Sequence, residues 1–264
     1  MSPITMPYTP VILQQDLYVI IPAAGLGTRM GLSDSKQFLE IAGIPVLART
    51  LLAFSKFQET FRKKVHAIVV TGPENIERVF ALCEEYKCDF VEKIIPGGET
   101  RQDSVACGIR ALSELARPPI EIDIVFIHDG ARCLIDEDTL EKCFLGGVAY
   151  DVCVTGTPCK NTIKSIVPAE VSGEESSPIV GTDAPLVDRT LDRALLYEVQ
   201  TPQVFKYSVL QNVSERAAAI GLQATDDTAL AESLGIAVHV IPGSYRNIKI
   251  TTPEDAVIAE YFLS

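Results

Sequence analysis

Tryptophan is absent, histidine occurs three times, and no two of the seven cysteines are spaced as Cys-x-x-C. His66, His128 and His239 are scattered along the chain, so neither a zinc site nor a disulfide framework is expected, and the cysteines read as reduced thiols. No apolar run reaches the ~18 residues that cross a bilayer; the longest candidate, around Leu17–Leu26, contains Pro22. No basic residue precedes Arg29. Secretory and mitochondrial leaders need early positive charge, so the cytoplasm is the expected location. A net charge of −12 argues against nucleic acid as a partner, which needs a broad basic surface. It leaves room for small anions, for which a few cations converging on one cleft suffice. With 47% hydrophobic and 22% charged residues over 264 positions, the chain can bury a full-sized core.

What is present alternates between strand and helix signals. Residues 1–16, with Pro3, Pro7 and Pro10, read as an irregular tail, and 17–264 as one domain. Leu17–Pro22, Val65–Thr71, Lys93–Pro96, Ile122–His128, Asp151–Thr155 and Ile236–Pro242 are apolar runs of strand length, and Phe38–Ala42 is a shorter extended piece. Helical spacing predicts helices over Pro45–Phe54, Pro73–Tyr86, Gln102–Ala116, Asp136–Gly146, Lys206–Ile220 and Pro253–Phe262. Strands separated by helices of this length need crossover connections. The expected fold is therefore α/β in three layers, Rossmann-like, around a mostly parallel sheet. The rhythm breaks after Pro158. Val171–Pro178 is rich in Gly, Ser and Glu, and the region of about 158–190 reads as a protruding β-arm.

Three segments carry chemistry. Pro22-Ala23-Ala24-Gly25-Leu26-Gly27-Thr28-Arg29-Met30-Gly31 follows the first strand. Its small residues let backbone N–H groups approach a polyphosphate. A dinucleotide-binding Gly-x-Gly-x-x-Gly fails because Met30 holds the third glycine position, and a P-loop fails for want of Gly-Lys-Ser/Thr. Arg29 within the loop and Lys36 just after it suit a reaction that builds negative charge at phosphorus. Gly97-Gly98-Glu99-Thr100-Arg101-Gln102-Asp103-Ser104 exposes backbone groups before a helix, whose N-terminus favours anions. His128-Asp129-Gly130-Ala131-Arg132 ends the most apolar strand, where open α/β sheets bind ligands. There Asp129 could accept from ribose hydroxyls or sit near a metal, and Arg132 could fork onto a phosphate, while His128 reads as a packed strand-end residue. Thr201-Pro202-Gln203, Thr225-Asp226-Asp227 and Asn247-Ile248-Lys249 each sit at the edge of an apparent element.

In order along the chain, P-A-A-G-x-G-x-R-M at 22–30, K-Q-F at 36–38, G-G-E-T-R-Q-D-S-V at 97–105, H-D-x-A-R at 128–132, N-T-I-K at 161–164, L-D-R at 191–193, Q-T-P-Q-x-F at 200–205, T-D-D at 225–227 and N-I-K-I-T at 247–251 resemble the 2-C-methyl-D-erythritol 4-phosphate cytidylyltransferases. The resemblance implies that Arg29 and Lys36 stabilise the transition state at the α-phosphate, with Arg193 and Lys249 counted beside them as catalytic. It places Ala23, Ala24, Gly25, Gly27, Gly98, Glu99, Ser104, Asp129 and Gly130 at the nucleotide. It gives Asp129, Arg132, Thr162, Arg193, Thr225 and Lys249 to the acceptor. Of the pairs Asp188-Arg189 and Asp192-Arg193, the family's spacing to Thr201-Pro202-Gln203 selects Arg193. Homodimers in which each arm reaches over the partner's site are implied as well. The sequence departs from the family at Cys133, where proline is usual, at Gly130, where alanine is commoner, and in a longer stretch between Thr162 and Arg193.

The implied reaction joins CTP and 2-C-methyl-D-erythritol 4-phosphate, releasing pyrophosphate. Mg²⁺ or another divalent cation is expected to be held mainly by the CTP phosphates, with no protein residue assigned as a metal ligand. Competing readings are a ribitol 5-phosphate cytidylyltransferase, a non-catalytic nucleotide-binding module and, remotely, a nicotinamide-dependent oxidoreductase.

Overall fold

The computed structural model describes residues 15–25, 35–167 and 185–264. The chain divides into two compact units. One runs to Gly156 and resumes over Gln200–Ser264; the other is Thr157–Val199.

The larger unit is built on a seven-stranded sheet whose strands, in order across it, are His239–Pro242, Val152–Pro158, Tyr197–Lys206, Ile124–Ile127, Leu17–Ala23, Val65–Thr71 and Val91–Pro96. Strands β1 (Leu17–Ala23), β4 (Val65–Thr71), β5 (Val91–Pro96) and β6 (Ile124–Ile127) lie side by side. β1 is parallel to both β4 and β6, and β4 to β5. At the other end β7 (Val152–Pro158) is parallel to β11 (His239–Pro242). β10 (Tyr197–Lys206) runs antiparallel to β6, pairing Gln203 with Ile127. The mostly parallel sheet is therefore as expected, with one ten-residue strand that the apolar pattern does not reveal.

Because β1 is covered on both faces, its alternate residues serve two cores. Leu17, Val19 and Ile21 join a cluster with α1 (Val46–Phe61), α2 (Ile76–Glu85) and α4 (Glu137–Ala149), where Phe54, Phe57 and Phe144 are buried. Tyr18 and Ile20 join the opposite cluster with α3 (Arg101–Leu112), α5 (Tyr207–Ala219) and α6 (Asp227–Ser233). This is the three-layer α/β fold. A third apolar cluster packs Ile41, Ala131, Cys133, Leu134 and Ile250 against Ala259 of α7 (Pro253–Leu263). Cys133, standing where proline is usual, is thus a core residue. Burial pushes its thiol up to about 11, so it is not a thiolate near neutral pH.

The short β2 (Glu40–Ile41) and β3 (Ile44–Pro45) form a hairpin ahead of α1. Of the expected N-terminal tail, Gln15 and Asp16 are tied down: Gln15 Nε2 donates to the Ile122 carbonyl at 2.9 Å, and the Asp16 N–H donates to Asp123 Oδ1 at 2.8 Å. The smaller unit holds β8 (Lys164–Val167) paired antiparallel with β9 (Leu186–Thr190). The part of the expected arm between them, 168–184, lies outside the described residues.

Candidate active site

The carboxyl ends of β1 and β6, the turn after β5, the N-terminus of α3 and the segment before α7 converge on one cleft. It is lined by Ala23, Ala24, Gly25, Lys36, Gln37, Gly98, Glu99, Arg101, Ser104, Asp129, Gly130 and Lys249, among others. Residues from the beginning and the far end of the sequence thus share one surface. Gly27 and Arg29 lie outside the described residues.

Lys36 opens a short 3₁₀ turn, Lys36–Phe38, whose next two residues are buried and fix it. Gln37 Nε2 donates to Thr71 Oγ1 at 3.3 Å, and the Phe38 ring lies under the Arg78 guanidinium at 3.6 Å. A Cβ on Gly25 would stand 3.9 Å from Lys36 Cε, so the lysine stem runs beside the small residues that end β1.

On the opposite wall, α3 begins with a capping box. The Thr100 hydroxyl accepts from the Asp103 N–H at 3.0 Å, and the Thr100 N–H donates to Asp103 Oδ2 at 3.0 Å. Ser104 ties the glycine turn to this start. Its hydroxyl donates to the Thr100 carbonyl at 2.9 Å and accepts from the Gly98 N–H at 3.2 Å. Gly98 has no room for a side chain, since a Cβ would sit 2.3 Å from Asp103 Cβ. Gly130 is crowded less severely. An alanine methyl would lie 3.1 Å from Ala23 Cβ and 3.3 Å from Leu47 Cδ1, so glycine here relaxes the floor of the cleft.

The electrostatic centre is Asp129, 7% exposed. Lys249 Nζ lies 2.8 Å from its Oδ2, Arg101 Nε 3.3 Å from its Oδ1 and Arg132 Nε 3.6 Å from Oδ2. Burial alone would raise this carboxyl, but Lys249, Arg101 and Arg132 outweigh it and hold the group well below the usual carboxylate range. Arg101 also reaches Asp227 Oδ2 at 2.6 Å, and the Asp227 N–H donates to Gln203 Oε1 at 2.9 Å. Arg132 Nη1 donates to the Asn247 carbonyl at 2.8 Å, locking the segment that carries Lys249.

His128 is fully buried, and burial pulls its pKa from 6.5 down to about 4. Both ring nitrogens are engaged, Nδ1 with Thr201 Oγ1 at 3.0 Å and Nε2 with the Arg132 carbonyl at 3.2 Å. It is a packed structural residue, as its strand-end position suggested. Thr225 is exposed in the turn before α6 and does not line the cleft. Thr162 and Arg193 belong to the smaller unit, where Arg193 Nη1 donates to the Lys160 carbonyl at 2.7 Å. Arg189 pairs there with its neighbour Asp188 at 3.8 Å. Arg101, Asp227 and Thr201 carry much of the site's wiring, yet sequence reasoning assigned them no role. Each lies inside a quoted motif, but its partners are far away in the chain.

The family profile described as 2-C-methyl-D-erythritol 4-phosphate cytidylyltransferase (IspD) matches residues 17–264. The chain belongs to this cytidylyltransferase family. Among its relatives, the enzyme of that name from Syntrophotalea carbinolica is 38% identical, over 94% of this chain and 96% of its own. Its counterpart from Pelotomaculum thermopropionicum is also 38% identical, over 91% of each. Solved structures agree in fold. The 4-diphosphocytidyl-2C-methyl-D-erythritol synthase of Anaerococcus prevotii superposes with a TM-score of 0.73 at 28% identity, covering 94% of this chain and 98% of that one. The cytidylyltransferase of Thermus thermophilus does so at 0.66 and 26%, with the same coverage.

Proposed function

We propose that the chain transfers the cytidylyl group of CTP to 2-C-methyl-D-erythritol 4-phosphate. An acceptor phosphate oxygen attacks the α-phosphorus, the bond from the α-phosphorus to the bridging oxygen of the β-phosphate breaks, and pyrophosphate leaves. The observation that carries this reading is the family's cleft itself. Lys36, Arg101 and Lys249 converge with the Asp129 carboxylate beside a backbone of Ala23, Ala24, Gly25 and Gly98.

In this reading the small residues and Gly98, Glu99 and Ser104 receive the base and ribose, with Asp129 and Gly130 at the sugar. The resemblance gives Gly27 to the nucleotide as well. Lys36 and Arg29 stabilise the charge that develops at the α-phosphorus. Lys249 and Arg132 hold the acceptor phosphate; the resemblance also gives Thr162, Arg193 and Thr225 to the acceptor, although Thr225 stands outside the cleft lining. A phosphate monoester, with a second pKa of about 6, is mostly dianionic at neutral pH and needs no general base. That fits a site whose histidine has both nitrogens occupied.

Mg²⁺ belongs to this reaction as a companion of the nucleotide. Among the described residues no three His, Cys, Asp or Glu side chains converge as a metal site. Asp129, the buried carboxylate in the cleft, already faces three cations. The donor set suits a cation that arrives on CTP and shields its phosphates.

A homodimer is the assembly proposed, with the smaller unit as its arm. Ile166, Leu186, Val187, Leu195 and Val199 are exposed on that unit, an apolar surface suited to a second copy. Location in the cytoplasm fits the described residues, in which no helix is long and apolar enough to cross a membrane.

The test is a pyrophosphate-release assay with CTP or UTP and either 2-C-methyl-D-erythritol 4-phosphate or ribitol 5-phosphate. Turnover is expected with CTP and the methylerythritol phosphate. A preference for ribitol 5-phosphate, or CTP binding without release, overturns the reading.

A further inference from the structure

The hydrogens around His128 can be assigned one by one. The Arg132 carbonyl, 3.2 Å from Nε2, only accepts, so Nε2 carries the ring proton. The ring is buried and flanked edge-on by Phe54 at 5.5 Å, an environment that favours the neutral form. Nδ1 is then bare and must accept, which makes the Thr201 hydroxyl at 3.0 Å a donor. With its hydrogen committed, that hydroxyl oxygen receives the Asp129 N–H at 3.1 Å. The chain of bonds is therefore directed: Asp129 N–H to Thr201 Oγ1, Thr201 O–H to His128 Nδ1, His128 Nε2–H to the Arg132 carbonyl.

The chain begins at Asp129 and ends at Arg132, the two ends of the turn that carries the central carboxylate and one of its cations. Thr201 is itself held, since Asn247 Nδ2 donates to its carbonyl at 2.8 Å. Asn247 in turn is two residues from Lys249 and receives Arg132 on its own carbonyl. Thr201 on the antiparallel strand β10 thus joins the turn that carries the carboxylate to the segment that carries Lys249.

We propose that Thr201 and His128 are positioning residues for the transfer reaction, fixing Asp129, and through it Lys249 and Arg132, by this directed relay. The inference rests on the reading of the cleft as the transfer site. Thr201→Val keeps the shape and removes the hydroxyl, leaving the Asp129 N–H and His128 Nδ1 unpaired. Thr201→Ser restores the bond.

Two measurements test it. In steady-state kinetics, Thr201→Val is expected to lose about tenfold or more in kcat/KM for the acceptor, with a raised KM, while Thr201→Ser stays within about threefold of the parent. A smaller folded fraction would lower kcat and leave KM alone. The proposal is overturned if Thr201→Val matches the parent, if the serine variant is equally damaged, or if kcat alone falls. In a long-range ¹H–¹⁵N spectrum of the full chain at neutral pH, His128 is expected as the Nε2–H tautomer. An Nδ1–H tautomer or a charged ring overturns the relay even if Thr201→Val fails to fold. A parent protein that folds but releases no pyrophosphate refutes the reading of the cleft, and the spectrum then still decides the relay.

Discussion

Lys249 Nζ and Asp129 Oδ2 stand 2.8 Å apart, joining residues 120 positions apart in the chain at the carboxyl end of β6. The contact gives Asp129 its main countercharge and brings a lysine that looks solvated in sequence into the cleft. Removing the lysine leaves Arg101 and Arg132 to balance the buried carboxylate. Lys249→Ala is therefore expected to remain folded while kcat/KM for the acceptor falls about 100-fold, largely through KM. An unchanged KM for the acceptor in steady-state kinetics would remove Lys249 from the acceptor site.

Lys36 is held by its neighbours Gln37 and Phe38, so the turn survives loss of the lysine side chain. Lys36→Ala is expected to stay folded, because the buried Gln37 and Phe38 still hold the turn. Turnover is expected to fall about 100- to 1000-fold, the scale seen when one donor to a developing charge is removed. Denaturant unfolding and pyrophosphate release on the same preparation check both halves. Near-normal turnover in a folded variant sinks the catalytic role.

Much of the fold was legible because buried parallel strands write themselves as unbroken apolar runs. Val65–Thr71 was predicted with the bounds it has, and all seven of its residues are buried. β10 was not, although Gln200 to Phe205 are buried, because Pro202 and the polar Gln200, Thr201 and Gln203 interrupt the pattern. Those polar side chains are inside because each has a partner there: Thr201 the Asp129 N–H, Gln203 the Asp227 N–H. The short α6 was missed as well, being only seven residues long. For the site, the glycine turns and cations singled out in the sequence are partly brought together, with Gly25, Lys36, Gly98 and Lys249 lining one cleft. The pairing of Arg101 with Asp227, 126 residues away, could not be read, since either residue alone looks like an ordinary surface charge.

Arg101 bridges two carboxylates that are both nearly inaccessible, at 10% and 5% side-chain exposure, while its own side chain is 29% exposed. Arg101→Met would leave Asp227 buried without its countercharge. The expected loss is about 3 kcal/mol or more, the scale for breaking a buried pair by removing one partner. Adding Asp227→Asn should recover part of it, because the stranded charge is gone. Chemical denaturation of the parent, single and double variants measures the coupling. Strictly additive losses would show that the pair contributes nothing of its own.

Gly98 must stay glycine for a steric reason. The missing Cβ would stand 2.3 Å from Asp103 Cβ and 3.2 Å from its backbone carbonyl carbon, inside the capped start of α3. Gly98→Ala is expected to displace the turn, break the Ser104 contact to the Gly98 N–H, and cost about 1–3 kcal/mol. The KM for CTP should rise with it. Equilibrium unfolding and CTP titration check the two effects, and a variant neutral in both would refute the close packing.

The depressed pKa of His128 has a pH signature whose sign follows from linkage. The unfolded chain takes up this proton near pH 6.5, whereas the folded ring resists until about pH 4. Above pH 6.5 both states are neutral and His128 adds no slope. Between 6.5 and 4 the unfolded state binds the proton alone, so stability falls as the pH falls, by about 1.4 kcal/mol per unit. Below pH 4 both states are charged and the contribution levels off. Asp129 acts lower down: its folded carboxyl is held beneath its ordinary 3.8, so its contribution is full above that value and is lost only in stronger acid. The window from 6.5 to 4 therefore separates the two groups. His128→Asn, which keeps an acceptor for Thr201 but does not titrate, should flatten that part of the curve relative to the parent. Denaturant midpoints taken every half unit would show it. Parallel slopes for the two proteins would mean that His128 is not held neutral by the fold.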